Sequence, residues 1–527
     1  MPRLTPPYTL CWAACLAVLT TVGSAARPAL AADPDEFLDF SFSLRQDASV
    51  DLPGRLFVPD QYDGTNALPL VVFYHGAGQV GSNNTSQVNA NIDNLLAAAK
   101  REGFFLYAPQ ASSGWGANAV NLTLNQAANA VLDYGIDTSR LYVTGLSLGG
   151  QGVWNTLANH PGVFAAATPI AAPSDIPGSG AAEQANAAAL AGSPIWAYHA
   201  VNDGTVNVNF TRRAVNSLRD AAGLDTLDFP LQDNDGSPFY TDGSTYLDQN
   251  NLRYTEYASG GHAVWGRAYN EQPLYDWMLD QSNPLPTLAV GQSVLYDMGA
   301  TATTTDDQGR LWNSPAAGYE RTPGVGHSFA LTPDGQRTAL LLEVTDIFTG
   351  QYRDGLEDPS LSAPASVRLD GWTTSANTNA NAQDAPGQLT LHHLTPGGEY
   401  RLELFASRPG DDNGRQRITR YLIDDLFRDL DVQDNLDQWA VFESVFADEF
   451  GRLTIDVVAA EGTLSRSADL GALRLTALDL EPNPIPEPTT LGMTALAFLA
   501  LATRRRSSRT TRLACGALPW AEGNSRS

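Results

Sequence analysis

Residues 142–150 read YVTGLSLGG. A run with β-branched and aromatic side chains climbs to Gly145, passes Leu146 to Ser147, and leaves through Leu148 to Gly149 and Gly150. The next stretch, GGQGVWNTLANHP, has helical spacing and stops at Pro161. Two readings compete for the serine. Either it is a nucleophile lifted on a sharp strand-to-helix turn, or the stretch is an ordinary glycine-rich turn.

The flanking chain favours the first. From residue 38 to 282, strand-like runs alternate with helix-like ones. FLDFSFSLR and GRLFVP open with strand character, and LPLVVFYHG (68–76) is a continuous apolar run, as a central strand covered on both faces requires. IDNLLAAAKREG reads as a helix closed by a glycine, with Lys100 and Arg101 in its last turn. FFLYAP, PIWAYHA and LRYTEYA read as further strands, and LNQAANAVLDYG, FTRRAVNSLRDAAG and QPLYDWMLDQ as helices. This alternation predicts an α/β unit: a doubly wound, mostly parallel sheet with helices on both faces.

A serine hydroxyl attacks a carbonyl only when a base takes its proton and a third group fixes the tautomer of that base. The oxyanion that forms needs donors already in place. Gly145-Leu146-Ser147-Leu148-Gly149 matches G-x-S-x-G in the strand-to-helix context of a nucleophile elbow, which makes the Leu148 amide one donor. The second is expected from the turn after LPLVVFY, at His75-Gly76-Ala77-Gly78; the Ala77 amide is assigned, with Gly76 the alternative. His75 itself, at the end of a buried strand, reads as a loop-fixing residue. The acid is expected after the next strand beyond the nucleophile helix. IWAYHAVNDGTV places Asp203 there, with Asp175 the weaker candidate. The base is expected last, in Ser259-Gly260-Gly261-His262; His160, His199, His327, His392 and His393 lack such a placement. The order Ser147, Asp203, His262 is that of α/β-hydrolases.

At this point the sequence resembles a known family. Residues 53–280 resemble the esterase, phospholipase/carboxylesterase and "predicted peptidase" branch of the α/β-hydrolases, which includes polyhydroxybutyrate depolymerase-like and feruloyl-esterase-like enzymes. The stretches that carry the resemblance are LPLVVFYHGAGQVGSNN, YAPQ, DTSRLYVTGLSLGGQGVW, HAVNDGTV, and GGHAVW with YDWML. It implies Ser147 as nucleophile, Asp203 as acid, His262 as base, and Ala77 with Leu148 as oxyanion donors. HAVND departs from the family, where glycine more often follows the histidine. Trp265 beside the base and Trp115 are candidates to line the substrate pocket, whereas Trp154 reads as core. The insertion LQDNDGSPFYTDGSTYLDQNN reads as a solvated loop or part of a cap.

NPLPTL (283–288) reads as a linker, and beyond it the period becomes two. Tyr400, Leu402 and Leu404 alternate with Arg401 and Glu403, and Leu453, Ile455 and Val457 with Thr454 and Asp456. An all-β sandwich is expected over 289–480. It resembles carbohydrate-binding or malectin-like sandwiches, in which exposed aromatics stack on sugars; Trp312, Trp372 and Trp439 are its tryptophans, with core the favoured place for Trp439. DDNG and DDLFRDLD carry oxygen ligands of the kind a structural calcium takes, as do the acidic residues of the insertion, where EF-hand spacing is absent.

Both ends read as addresses. Arg3, an apolar run from Leu10 to Val22 and the small residues up to Ala31 have the order of a secretory signal peptide (1–31), with Ala26 an alternative cleavage point. Pro486-Glu487-Pro488, an apolar stretch from Leu491 to Ala502 and Arg504-Arg505-Arg506 resemble a PEP-CTERM sorting signal (484–506), followed by an unstructured tail at 507–527. The resemblance implies export in a bacterium and an exosortase-type processing partner. The membrane would be met only through these terminal signals. A net charge of −26 excludes a nucleic-acid surface, and the three cysteines (Cys11, Cys15, Cys515) all lie in the terminal segments.

The expectation is an exported serine hydrolase that cleaves carboxylic esters on a polysaccharide or polymer through an acyl-enzyme, without metal or organic cofactor. A serine peptidase on the same triad, and a surface binding protein with an inert hydrolase domain, are the alternatives.

Overall fold

A computed structural model describes residues 33–41, 52–229, 244–299, 303–315, 325–327, 329–352, 371–375, 386–409, 417–460 and 467–481. The expected signal peptide, sorting signal and tail, the acidic DDNG, and most of the insertion before residue 244 lie outside these residues.

Nine strands form the first sheet. In chain order they are β1 (Leu38–Asp39), β2 (Gly54–Phe57), β3 (Leu70–Tyr74), β4 (Phe105–Pro109), β5 (Leu141–Leu146), β6 (Ala166–Ile170), β7 (Ile195–Ala200), β8 (Thr245–Gln249) and β9 (Leu252–Tyr257). Their order across the sheet is β1-β2-β4-β3-β5-β6-β7-β9-β8. The run from β4 to β9 is parallel throughout, and antiparallel pairs close both edges. Every residue of β3 to β7 is buried, which is why these stretches read as unbroken apolar runs rather than alternating ones.

The helices are α1 (Asp93–Glu102), α2 (Ala117–Tyr134), α3 (Leu148–Asn159), α4 (Ala181–Leu190), α5 (Asn209–Ala221), α6 (Trp265–Ala268) and α7 (Gln272–Asp280). Two apolar clusters line opposite faces of the sheet: Val72, Tyr74 and Val143 lie in one with residues of α2 and α3, and Val71, Phe73 and Tyr142 lie in the other with residues of α1 and α7. This is the α/β-hydrolase fold, in which sites form at the carboxyl ends of the parallel strands.

Three elements depart from the expectation. FAAATPI forms β6, between the nucleophile helix and PIWAYHA, so Asp203 follows the second strand after that helix rather than the next. AAEQANAAAL forms α4. The end of the insertion is a strand, β8, paired with β9 through a two-residue turn. Asn250 and Asn251 both have positive φ there (54° and 61°), as a type I′ hairpin needs.

Beyond residue 288 the described strands are antiparallel. Ser293–Asp297, Ala472–Asp479, Glu399–Phe405 and Ala440–Phe446 form a four-stranded sheet. Val325–His327, Leu341–Asp346, Gly387–His392, Leu453–Ala459, Ile418–Ile423 and Leu426–Asp431 form a six-stranded sheet, in that order. Val294, Leu402 and Leu473 of the first share one core with Val344, Leu389 and Ile455 of the second, which makes the pair a β-sandwich. Trp312 and Trp372 are 2% and 0% exposed, so neither offers a stacking face to a sugar. Asp429 of DDLFRDLD is paired with Arg420, and the described residues contain no cluster of three His, Cys, Asp or Glu side chains suited to a metal ion.

The sandwich is packed on the α/β layer. Leu122 of α2 joins the sandwich core, and Phe329 and Leu341 join the core of the α/β layer. The segment expected as a linker is pinned at both ends: the Asn283 amide donates to the Ser139 carbonyl, and the Pro286 carbonyl accepts the Ala339 amide, each at 2.8–2.9 Å. Among the described residues, no helix is long and apolar enough to cross a membrane.

Candidate active site

The turn out of β5 is strained where the sequence placed its serine. Ser147 has φ 52° and ψ −120°, the conformation of the first central residue of a type II′ turn, normally given to glycine. The amide of Ser147 is anchored on the Ile170 carbonyl at 2.8 Å, and α3 begins one residue later. A Cβ at Gly149 would run into the Tyr74 carbonyl and lie 2.8 Å from the His75 carbonyl oxygen, and one at Gly145 would strike the Gly149 backbone. The glycines therefore let helix and strands close until the serine side chain stands at the sheet edge.

Three loops converge there. His262 Nε2 lies 2.9 Å from Ser147 Oγ, and His262 Nδ1 lies 2.7 Å from Asp203 Oδ2. A carboxylate can only accept, so Nδ1 carries the proton and Nε2 presents its lone pair to the serine hydroxyl. His262 sits in a one-turn helix, Gly261–Ala263, entered through Gly260 and Gly261 at φ 130° and 64°. Asp203 is held on all sides. Its Oδ1 accepts the Thr205 and Val206 amides at 2.8 Å each. Burial alone would push the Asp203 carboxyl up, but the Val206 amide, His262 and the Thr205 amide together hold it below the usual carboxylate range.

The expected donors for a developing oxyanion are also at this edge. Ala77 opens a short 3₁₀ turn, Ala77–Gln79, after β3, and Leu148 is the first residue of α3. Neither amide donates to another group in the described hydrogen bonds, as is normal for the first turn of a helix. The loop is braced by His75, which is fully buried. Its Nδ1 donates to the Gly76 carbonyl at 2.8 Å, and its Nε2 accepts the Ala111 amide at 3.0 Å. Burial keeps this imidazole neutral, with its pKa lowered to about 4.

Of the two tryptophans expected at the pocket, one lies beside His262 and the other is buried. Trp265 meets His262 edge-on at 5.2 Å, and its indole N–H donates to Asn91 Oδ1 at 3.1 Å. Trp115 is only 2% exposed. Its ring packs against Tyr74 at a 30° tilt with centroids 4.2 Å apart, its indole N–H donates to the His75 carbonyl, and Gly152 of α3 leaves room for it. It supports the turn after β3 from below and does not line a pocket, a correction its loop position did not foretell.

Asp175, the weaker acid candidate, is paired with Arg213. Two residues to which the sequence reading gave no role lie against Asp203 and the His262 loop. Asn202 Oδ1 accepts the Gly261 amide at 2.9 Å. His199, the fifth residue of β7, is fully buried and places Nε2 3.2 Å from Asp203 Oδ2. The turn after β7 brings residues four apart into contact, a closeness that only the fold reveals.

No family model matches the chain. A bifunctional acetylxylan esterase/xylanase of Neocallimastix patriciarum is 26% identical over 186 residues, which are 33% of this chain and 26% of that protein. The chain thus spans about a quarter of the length of this curated relative. Among known structures, a thermostable esterase is 31% identical, with 47% of this chain and 64% of that one covered at a TM-score of 0.37. An acetyl xylan esterase from Aspergillus awamori is 17% identical, with 46% of this chain and 97% of that one covered at a TM-score of 0.34.

Proposed function

We propose that this chain is a serine hydrolase that cleaves carboxylic esters. The observation that carries the reading is the unbroken hydrogen-bond chain Ser147–His262–Asp203, set on a strained elbow. In this account His262 takes the Ser147 proton as Oγ attacks the acyl carbon. The Ala77 and Leu148 amides hold the oxyanion, and the dipole of α3 points its positive end at the same space. His262 then returns the proton to the leaving alcohol. A water activated by His262 hydrolyses the acyl-enzyme. Asp203 keeps the imidazole in the tautomer that this requires and balances the imidazolium charge.

Acetyl esters on a polysaccharide are the favoured substrate class. The similarity to an acetylxylan esterase/xylanase supports this choice, as does the β-sandwich joined to the hydrolase layer. Feruloyl and hydroxybutyrate esters are the nearest alternatives. The terminal stretches support export in a bacterium, with the second processed by an exosortase-type enzyme. Hydrolysis of p-nitrophenyl acetate by the purified protein and by Ser147→Ala tests the reading. Activity in the first and a loss of at least about 10³-fold in the second are expected. Equal activity in both, or none in either, would overturn it. A panel of acetylated xylan, feruloylated glycan, hydroxybutyrate oligomer and peptide then separates the substrate classes.

A further inference from the structure

Asp203 has a second imidazole on it, and the first histidine alone does not explain why. His199 Nε2 lies 3.2 Å from Asp203 Oδ2, the same oxygen that His262 uses, and 3.2 Å from the Val206 carbonyl oxygen. Both neighbours of Nε2 are acceptors, so Nε2 must carry a proton to make either contact favourable. Nδ1 is then the bare nitrogen, and the Thr211 hydroxyl, 2.8 Å away, must donate to it. Thr211 is 2% exposed, so water does not compete for that bond. The tautomer of His199 is therefore set by Thr211 of α5, just as the tautomer of His262 is set by Asp203.

The charge state of His199 follows from its surroundings. Burial lowers its pKa and outweighs the contacts with the Val206 carbonyl and with Asp203, which raise it. The other charged groups around it do not change this. Asp203 and His262 face it from the two loops. Glu256, its register partner on β9, is tied up by two bonds from Arg212 of α5 and one from the Tyr254 hydroxyl.

We infer that His199 is a positioning residue that acts through Asp203: as a neutral donor fixed by Thr211, it shares the carboxylate oxygen with His262 and limits how strongly that oxygen holds the His262 imidazolium. The inference rests on the reading of Ser147, His262 and Asp203 as a working triad. Its consequence has a definite sign. Without the donor, the negative charge on Asp203 is less satisfied and holds protonated His262 more firmly. A higher pH is then needed to leave His262 neutral, the form that can take the serine proton.

The test compares His199→Phe, His199→Gln and Thr211→Val with the wild type. Phenylalanine keeps a ring in the cavity, excludes water and donates nothing. Glutamine restores an N–H at the reach of Nε2. Each protein is measured twice: kcat/KM for p-nitrophenyl acetate against pH, and the titration of His262 by NMR of ¹⁵N-histidine-labelled protein without substrate. In His199→Phe the acid limb and the NMR midpoint are expected to move to higher pH by about half a unit to one unit. His199→Gln is expected to stay with the wild type, and Thr211→Val to move in the direction of His199→Phe by less, which keeps the test open if the phenylalanine variant does not fold. A folded His199→Phe with the wild-type limb and midpoint would overturn the inference, and so would a glutamine variant displaced as far as the phenylalanine one. A wild type that hydrolyses no ester, with the NMR midpoint still displaced in His199→Phe, would refute the triad's activity while upholding the coupling.

Discussion

Asn202 Oδ1 accepts the Gly261 amide at 2.9 Å, so the residue before Asp203 grips the residue before His262. The loops that carry Asp203 and His262 are clasped once through the Asn202 side chain and once through the Asp203–His262 hydrogen bond. The clasp gives Asn202 a task two residues beyond Ala200, the position where this sequence departs from its resemblance.

Asn202→Ala should open this clasp without touching the triad side chains. One neutral hydrogen bond is worth about 1 kcal/mol. A fall of roughly fivefold in kcat/KM is expected if that energy is spent on holding His262 in register. Steady-state kinetics beside an urea unfolding curve checks it, with global stability expected to change by no more than about 1 kcal/mol.

Ser147 sits in a glycine conformation, so Ser147→Gly should relieve strain as it removes the proposed nucleophile. Relative to Ser147→Ala, which keeps a Cβ in that conformation, the glycine variant is expected to be more stable by about 1–2 kcal/mol. Paired urea titrations of the two variants measure the difference.

Gly149→Ala should act in the opposite direction. Its Cβ would meet the carbonyls of Tyr74 and His75, neither of which can move without disturbing β3 and the oxyanion loop. A loss of about 3 kcal/mol, accompanied by loss of activity, is expected. Thermal unfolding checks the first and ester hydrolysis the second.

His75 links stability to pH. Its pKa is lowered to about 4 by burial, against an ordinary value near 6.5. The unfolded chain therefore binds the extra proton first as pH falls. The stabilising contribution is complete above about pH 6.5 and is lost as pH falls toward about 4, on the order of 3 kcal/mol in all. His199 and His393 are also lowered by burial and add to the same slope. Unfolding free energies at several pH values in this window should show a shallower slope for His75→Gln than for the wild type.

The sequence carried most of what a local pattern can carry. The elbow, the end of β3 and the two later loops each join a recognisable run to a glycine-rich turn, and the structure brings Ser147, Asp203 and His262 within hydrogen-bond distance in series. What escaped was decided elsewhere. FAAATPI has too few β-branched residues to announce a strand, and it is one because β5 and β7 flank it. Asn250-Asn251 was a legible hairpin signal that the acidic insertion obscured. The polar residues Thr123, Asn125, Gln126 and Asn129 suggest that α2 has a solvated face, yet all four are buried, on the helix whose Leu122 joins the sandwich core. The burial of Trp115 and the contact of His199 with Asp203 escaped for a shared reason: the direction of a side chain in a loop or near a strand end depends on the neighbouring strands and helices, which sequence spacing does not specify.

The account turns on Ser147 being the acyl acceptor, and covalent labelling measures that directly. The wild-type protein treated with a fluorophosphonate, digested and analysed by mass spectrometry is expected to carry one adduct, on the peptide containing Ser147. The adduct should be absent from Ser147→Ala and formed far more slowly in His262→Ala. A folded wild type that takes up no adduct, or takes it up on another residue, would contradict the account.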